Sequence, residues 1–218
     1  MLKTKPKNRV VAVFAHPDDE SLGPGGTLAK FSQSNDVYIL CATCGETHGD
    51  RNLGKIRSKE MEKSAKILGI KNVTFLNFLD GTLSNNLYHK LAAKIEQKLK
   101  ILKPQTLITF EPRGVSGHID HIVVSLVTTF VFFKLSFIKE LLYYCLTEDI
   151  RKAIPDYFIY FPPGYKKSEI DKVVNVEDVW DKKMKSMKEH KSQMDDVKTV
   201  MNLQKQFPKV EHFLAIKK

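Results

Sequence analysis

Two short stretches of this sequence gather the side chains that chemistry at a metal ion requires. The first, Ala15-His16-Pro17-Asp18-Asp19-Glu20, packs one imidazole and three carboxylates into consecutive positions. Like charges crowded in this way repel one another unless a cation neutralises them. The second, Gly117-His118-Ile119-Asp120-His121, lies about a hundred residues further along. Two histidines and one carboxylate, with an open position for water, make a catalytic zinc set. His16 and Asp19, three apart on one tight turn, can address a shared ion, and His121 would close the set. Asp18 stands beside these ligands, where it could take a proton from a water whose pKa zinc has lowered toward ~7. His118 would face the other side of the reacting carbon, to stabilise an oxyanion or protonate a leaving amine. Asp120 could fix the tautomer of His118. Iron(II) suits the same donor set, so Zn²⁺ is the expected ion and Fe²⁺ the alternative. A lone His-x-x-Asp is usually only a satisfied turn; the force of the argument is in the pair of motifs.

The elements that must unite the two stretches follow from apolar periodicity. Residues 9–14 read as a strand that ends where the first motif begins. Gly23, Gly25 and Gly26 suit a tight turn before a helix over 27–34. Strands over 36–42, 72–76, 105–110 and 141–146 alternate with helices over 57–68, 87–102 and 122–133, the first of these helices stopping at Gly69. Such alternation implies right-handed crossovers, a parallel sheet and helices on both faces. In a sheet ordered 3-2-1-4-5, strands one and four are neighbours where the winding reverses, and ligands bind beyond the carboxyl ends of the strands there. Both motifs would then meet in one crevice. The last third differs, with short strands at 156–161 and 173–176 around Pro162-Pro163-Gly164 and charged helical patterns over 179–193 and 195–206. The expected organisation is one α/β domain over 1–218, with residues 1–8 flexible and 147–218 a carboxy-terminal elaboration.

Composition narrows the class. Of 218 residues, 42% are hydrophobic and 28% charged, as in an ordinary globular protein. The net charge of +10 favours an acidic partner. The lysines are scattered, however, which fits a solvated surface better than a nucleic-acid patch. A basic nucleic-acid or membrane-binding module with an unused metal site, motivated by residues 181–191, is the competing class. A metal-dependent phosphoesterase is another, although a two-metal phosphatase would want more ligands than the sequence offers. Three cysteines do not make a disulfide scaffold, and the Cys41/Cys44 pair falls at a strand end rather than opening a helix as redox pairs do. The apolar run near the amino terminus is too short for a signal core, and Lys134, Lys139 and Glu140 interrupt the longest apolar stretch. A cytoplasmic protein without a transmembrane segment is expected.

The same residues resemble the PIG-L/LmbE-like family of N-acetylglucosaminyl deacetylases, whose AHPDDE and HPDH motifs are matched by residues 15–20 and 118–121, Ile119 standing for the usual proline. Thr43-Cys44-Gly45-Glu46 is similar to the family's TxGE turn and Arg57-Ser58-Lys59-Glu60 to its RxxE helix. Asp80-Gly81 is similar to its Asp-Gly turn and His190-Lys191-Ser192-Gln193 to its HxSQ. The likeness spans most of residues 9–194. It implies a Rossmann-like fold, His16, Asp19 and His121 as metal ligands, Asp18 as general base and His118 as electrophilic partner. It also implies Arg57 and Asp80, with Glu46 as a weaker candidate, at the sugar hydroxyls. The implied reaction is hydrolysis of the acetamide of an N-acetylglucosamine conjugate to amine and acetate. The partner is then a small N-acetylated sugar conjugate rather than nucleic acid, and homo-oligomer formation stays open. His190 reads as structural, while Trp180 and Tyr165 are candidates for a sugar pocket.

Overall fold

The structure, a computed structural model, describes residues 7–155 and 159–218. Strand β1 (Arg9–Phe14) leads into the short helix α1 (Asp19–Leu22) and then α2 (Gly25–Ser34). Next come β2 (Asp36–Thr43), α3 (Arg51–Leu68), β3 (Asn72–Phe78), α4 (Tyr88–Leu102) and β4 (Thr106–Phe110). The turn α5 (Gly114–Gly117), α6 (Ile119–Lys134), β5 (Glu140–Cys145) and α7 (Glu148–Lys152) follow, then β6 (Lys172–Asn175), α8 (Trp180–Met187), α9 (Met194–Gln204) and β7 (Val210–Lys217). Among the described residues these strands form one sheet ordered β3-β2-β1-β4-β5-β7-β6. The first five run parallel, as the α/β alternation demands, and β7 is antiparallel to both β5 and β6.

The β1 sequence is apolar from Val10 to Phe14 because both of its faces are covered; those five side chains are at most 3% exposed. Helices α2, α3 and α8 pack together as one layer and α4 packs on α6 as the other. Helix α6 forms despite its β-branched residues because Val124, Val127, Val131 and Phe132 are buried in the core. Helix α3 starts at Arg51, six residues before the expected start at 57. Its cap is the Asp50 carboxylate, which accepts from the N–H of Asn52 at 2.9 Å and Leu53 at 3.2 Å. The first six residues of α3 carry only Leu53 and the half-exposed Ile56 as large apolar side chains, with Gly54 between them, so their periodicity is weak. Of the expected leader over 1–8, residues 1–6 lie outside the described residues, as do 156–158 of the expected strand 156–161. Residues 159–161 carry no strand. No helix among the described residues is long and apolar enough to cross a membrane.

Strand β7 has no counterpart in the expected elements, yet it ties the carboxy-terminal part to the first motif. The buried Glu211 carboxylate accepts from the N–H of Gly26 at 2.9 Å and Thr27 at 2.7 Å, in the first turn of α2, where the helix dipole favours an anion. Lys183 of α8 completes the arrangement, its Nζ 2.6 Å from Glu211 Oε1 and 2.8 Å from the Gly23 carbonyl. Glu211→Ala therefore leaves an ammonium buried without a counter-charge. The expected loss is about 3–5 kcal/mol of unfolding free energy in urea titration, and an unchanged midpoint would contradict the assignment.

Candidate active site

The two motifs meet where β1 and β4 end. After β1 the chain turns through His16 and Pro17 into α1, and Asp19 folds back on this turn. Its Oδ2 accepts the N–H of Ala15 at 3.0 Å and of His16 at 2.8 Å, which leaves Oδ1 facing outward. After β4, the loop is organised by the buried Glu111. Its carboxylate accepts from the N–H of Arg113 and Val115 and, at 2.7 Å, from the Tyr165 hydroxyl. His118 caps α6 and presents His121 one turn later.

His16 Nδ1 lies 3.2 Å from His121 Nε2, and His121 Nε2 lies 3.3 Å from Asp19 Oδ1. Hydrogen bonds at the far side of each ring fix the tautomers. His16 Nε2 sits between Asp80 Oδ1 at 2.9 Å and Asp120 Oδ2 at 3.2 Å, both acceptors, so it carries a proton. His121 Nδ1 donates to the Gly114 carbonyl at 3.1 Å. His16 Nδ1, His121 Nε2 and Asp19 Oδ1 therefore converge on one point, where a proton shared between the rings or a metal cation would be held. Two ligands on a tetrahedral zinc stand about 3.3 Å apart, given Zn–N bonds of 2.0–2.1 Å, so the observed spacings fit. A second set, His16, His118 and Asp120, is also close enough to share an ion. Several of its atoms already have partners: Asp120 accepts the N–H of Gly81 at 2.9 Å and Leu83 at 3.1 Å, and His118 Nδ1 accepts the Asp120 N–H at 3.1 Å.

Electrostatics follow from this geometry. Burial alone would lower the His16 pKa, but its bonds to Asp120 and Asp80 and the nearby Asp19 charge lift it to about 10. Burial works against ionisation of Asp19, yet His121 and His16 hold its carboxyl well below the usual carboxylate range. Asp18 moves the other way. Burial and the Asp19 charge raise it to about 6, against the pull of Arg57. For His118, burial above all, with the nearby His16 and His121 acting in the same direction, lowers the pKa to about 4. The ring is thus neutral near pH 7, and since its Nδ1 accepts a hydrogen bond, its proton sits on Nε2.

Asp18 has φ 115° and ψ −29°, a conformation costing on the order of 1–3 kcal/mol in a non-glycine residue. Several bonds hold it there. Its carbonyl accepts from Ser21 and Leu22, and its N–H donates to Glu20 Oε2 at 3.1 Å. Arg57 Nη2 reaches Asp18 Oδ2 at 3.1 Å and the Pro17 carbonyl at 2.9 Å. Gly45, at φ +75°, lets this guanidinium pass; a Cβ there would come within 2.6 Å of Arg57 Nε. Glu20 is fully buried and bonded to His190 Nε2 at 2.7 Å and to the Ser64 hydroxyl. Glu60 accepts the N–H of Ser192 at 3.0 Å and its hydroxyl at 2.6 Å. The RxxE and HxSQ segments are thus clamps that fasten α3 and the chain after α8 to the first motif.

The expected residues divide accordingly. His16, Asp18, Asp19, Arg57, Asp80, His118 and His121 line one cavity, together with Trp180. The Asp120 carboxylate, expected to hold His118, instead meets His16 and the Gly81–Leu83 backbone; its main-chain N–H is what reaches His118. Asp80 also serves His16 and lies 3.6 Å from Arg57 Nη1. Glu46 accepts the Cys44 N–H at 3.2 Å and is not among the cavity-lining residues, nor is Tyr165. Cys41 and Cys44 are free thiols, and burial raises both pKa values, so the pair is structural. Sequence reasoning missed Glu20 and Glu60 as anchors, although each stood in a motif.

The family pattern of PIG-L, GlcNAc-PI de-N-acetylase, matches residues 11–132. The chain is 36% identical over 128 residues to a Bacillus cereus protein named probable N-acetyl-α-D-glucosaminyl L-malate deacetylase 2, covering 53% of this chain and 56% of that one. It is 29% identical over 198 residues to the 1D-myo-inositol 2-acetamido-2-deoxy-α-D-glucopyranoside deacetylase of Mycobacteroides abscessus, covering 75% and 69%. The chain spans about half the length of the first curated relatives it matches. In fold it is similar to N,N'-diacetylchitobiose deacetylase from Pyrococcus horikoshii, with a TM-score of 0.72 at 21% identity, over 97% of this chain and 84% of that one. With both motifs converged on one cluster and the family pattern covering more than half of its length, the chain belongs to the PIG-L family.

Proposed function

We propose that the protein is a metal-dependent amidohydrolase that removes the acetyl group from an N-acetylglucosamine conjugate, releasing free amine and acetate. The observation that carries this is the convergence of His16 Nδ1, Asp19 Oδ1 and His121 Nε2 at spacings of 3.2 and 3.3 Å. These three atoms would hold Zn²⁺, with Fe²⁺ the alternative for the same donors. When bound, the ion supplies a Lewis acid that polarises the amide carbonyl and acidifies water. The names of the relatives support the sugar amide as substrate.

The chain's own groups provide the proton handling. Asp18, with its carboxyl raised to about 6, is ionised near neutrality yet basic enough to take the proton of the attacking water. Arg57 fixes the carboxylate in place. As the water oxygen bonds to the carbonyl carbon, charge grows on the carbonyl oxygen, and the Nε2–H of neutral His118 donates to it. The C–N bond then breaks, the proton held by Asp18 passes to the departing nitrogen, and acetate and amine leave. Asp80 and Asp120 act on none of these atoms; they keep the proton of His16 on Nε2. A single domain over 1–218, with 147–218 adding one wall of the cavity, completes the proposed arrangement.

Asp18→Asn should retain one zinc per chain and lower kcat for acetate release by roughly 10²–10⁴-fold; near-normal turnover would remove Asp18 as the base. His121→Ala should lose zinc by elemental analysis, and chelation of the unaltered protein should abolish turnover that added Zn²⁺ restores. An unchanged zinc content in that variant would refute the ligand role. Asp120→Asn should keep the ligands but weaken zinc affinity about 10–100-fold in competition with a chromogenic chelator; unchanged affinity would show that Asp120 does not orient His16.

A further inference from the structure

The cavity at the cluster has a volume of about 770 Å³, toward the upper part of the roughly 300–1,000 Å³ that encloses a drug-sized ligand. One N-acetylated pyranose at the catalytic residues leaves much of it to be filled. Its lining changes character away from the cluster. Helix α9 contributes Val200 and Leu203 and the chain just after it Phe207, Leu22 packs with Val200 in one apolar cluster, and Tyr144 and Trp180 line the same cavity; we call this apolar side the arm. The arm adjoins the chemistry directly, since Leu22 is one helical turn beyond Asp19.

The polar groups in this arm are largely committed. Lys183 and Arg57 are the lysine and arginine among the described lining residues. Lys183 is held by Glu211 and the Gly23 carbonyl, and Arg57 by Asp18 and the Pro17 carbonyl. Each thus already has a carboxylate as counter-charge, and only Nε of Arg57, buried beside Gly45, lacks a hydrogen-bond partner. Gln204 donates its amide to the Leu22 carbonyl at 2.8 Å, and its Oε1 is an unpartnered acceptor; the unpartnered Ser116 hydroxyl of the lining lies two residues from His118, at the catalytic cluster rather than on α9. Asp196, at the α9 end of the lining, is exposed and would repel an anion.

We propose that this arm binds an apolar aglycone, so that the substrate is an N-acetylglucosamine conjugate bearing an alkyl or aryl group rather than a dicarboxylate or a polyol. The proposal rests on the deacetylase reading for the sugar half of the site. Burying alkyl surface against Val200, Leu203 and Phe207 provides the affinity, while the catalytic residues meet the sugar amide.

Trp180 is the chain's one tryptophan and lines the arm, so its fluorescence reports occupancy without reference to turnover. Hexyl and methyl 2-acetamido-2-deoxyglucopyranosides and the malate conjugate of N-acetylglucosamine would each be titrated into the zinc-loaded protein, with acetate release followed in parallel. The hexyl glycoside should shift Trp180 emission to the blue and saturate at a concentration at least tenfold below the methyl glycoside. Leu203→Asp should erase that difference at unchanged zinc content and raise KM for the hexyl glycoside more than it lowers kcat. Equal affinities for hexyl and methyl glycosides, no response to the hexyl compound, or tighter binding of the malate conjugate would each overturn the proposal. Hexyl binding without acetate release would support the arm and refute the deacetylase reading instead.

Discussion

Two imidazole nitrogens, His16 Nδ1 and His121 Nε2, facing each other across 3.2 Å, are the constraint around which this molecule is organised. Such an approach is repulsive unless a proton or a metal ion lies between the rings, and the chain forces it from both sides. Asp80 and Asp120 hold a proton on the far nitrogen of His16, and the Gly114 carbonyl does the same for His121. Asp19 adds the negative charge that a divalent ion requires. Replacing Asp80 or Asp120 with a neutral group would relax the demand for metal without removing a proposed ligand.

Much of the remaining sequence serves to make that approach durable. The strained backbone at Asp18 is stabilised by Arg57 from α3 and by Glu20 from α1. Glu20 is in turn bonded to His190, and Glu60 to Ser192, so the chain after α8 is fastened to the helix that carries Arg57. Glu211 and Lys183 tie β7 and α8 to the start of α2. Buried charges paired in this way add little net stability compared with apolar packing. Their effect is positional, because each has one satisfied geometry and loses it if the segment shifts.

The candidate site was legible in the sequence because the proposed ligands sit in two compact motifs, and the parallel strands that juxtapose them are apolar runs with clear breaks. The strand order assumed for β1 to β5 is the one observed. What escaped has physical reasons. The first turn of α3 is set by a cap rather than by apolar periodicity. Strand β7 lies near the end of a lysine-rich tail, and its pairing with β5 and β6 is a long-range choice that no local pattern encodes. Asp120 was legible as a buried partner but not its target, since a carboxylate beside two histidines can serve either; the fold decided for His16 by bringing the Gly81–Leu83 backbone against it. The apolar wall from α9 was invisible for the same reason, since an amphipathic helix shows one apolar face in sequence without saying whether core or ligand covers it.

The most direct check on this account is a crystal structure of the zinc-loaded protein with anomalous data collected on both sides of the zinc absorption edge. One strong peak should appear bounded by His16 Nδ1, Asp19 and His121 Nε2, with His16 Nε2 still directed at Asp80 and Asp120. A peak at His118 and Asp120 instead, or no zinc within reach of His16, would contradict it.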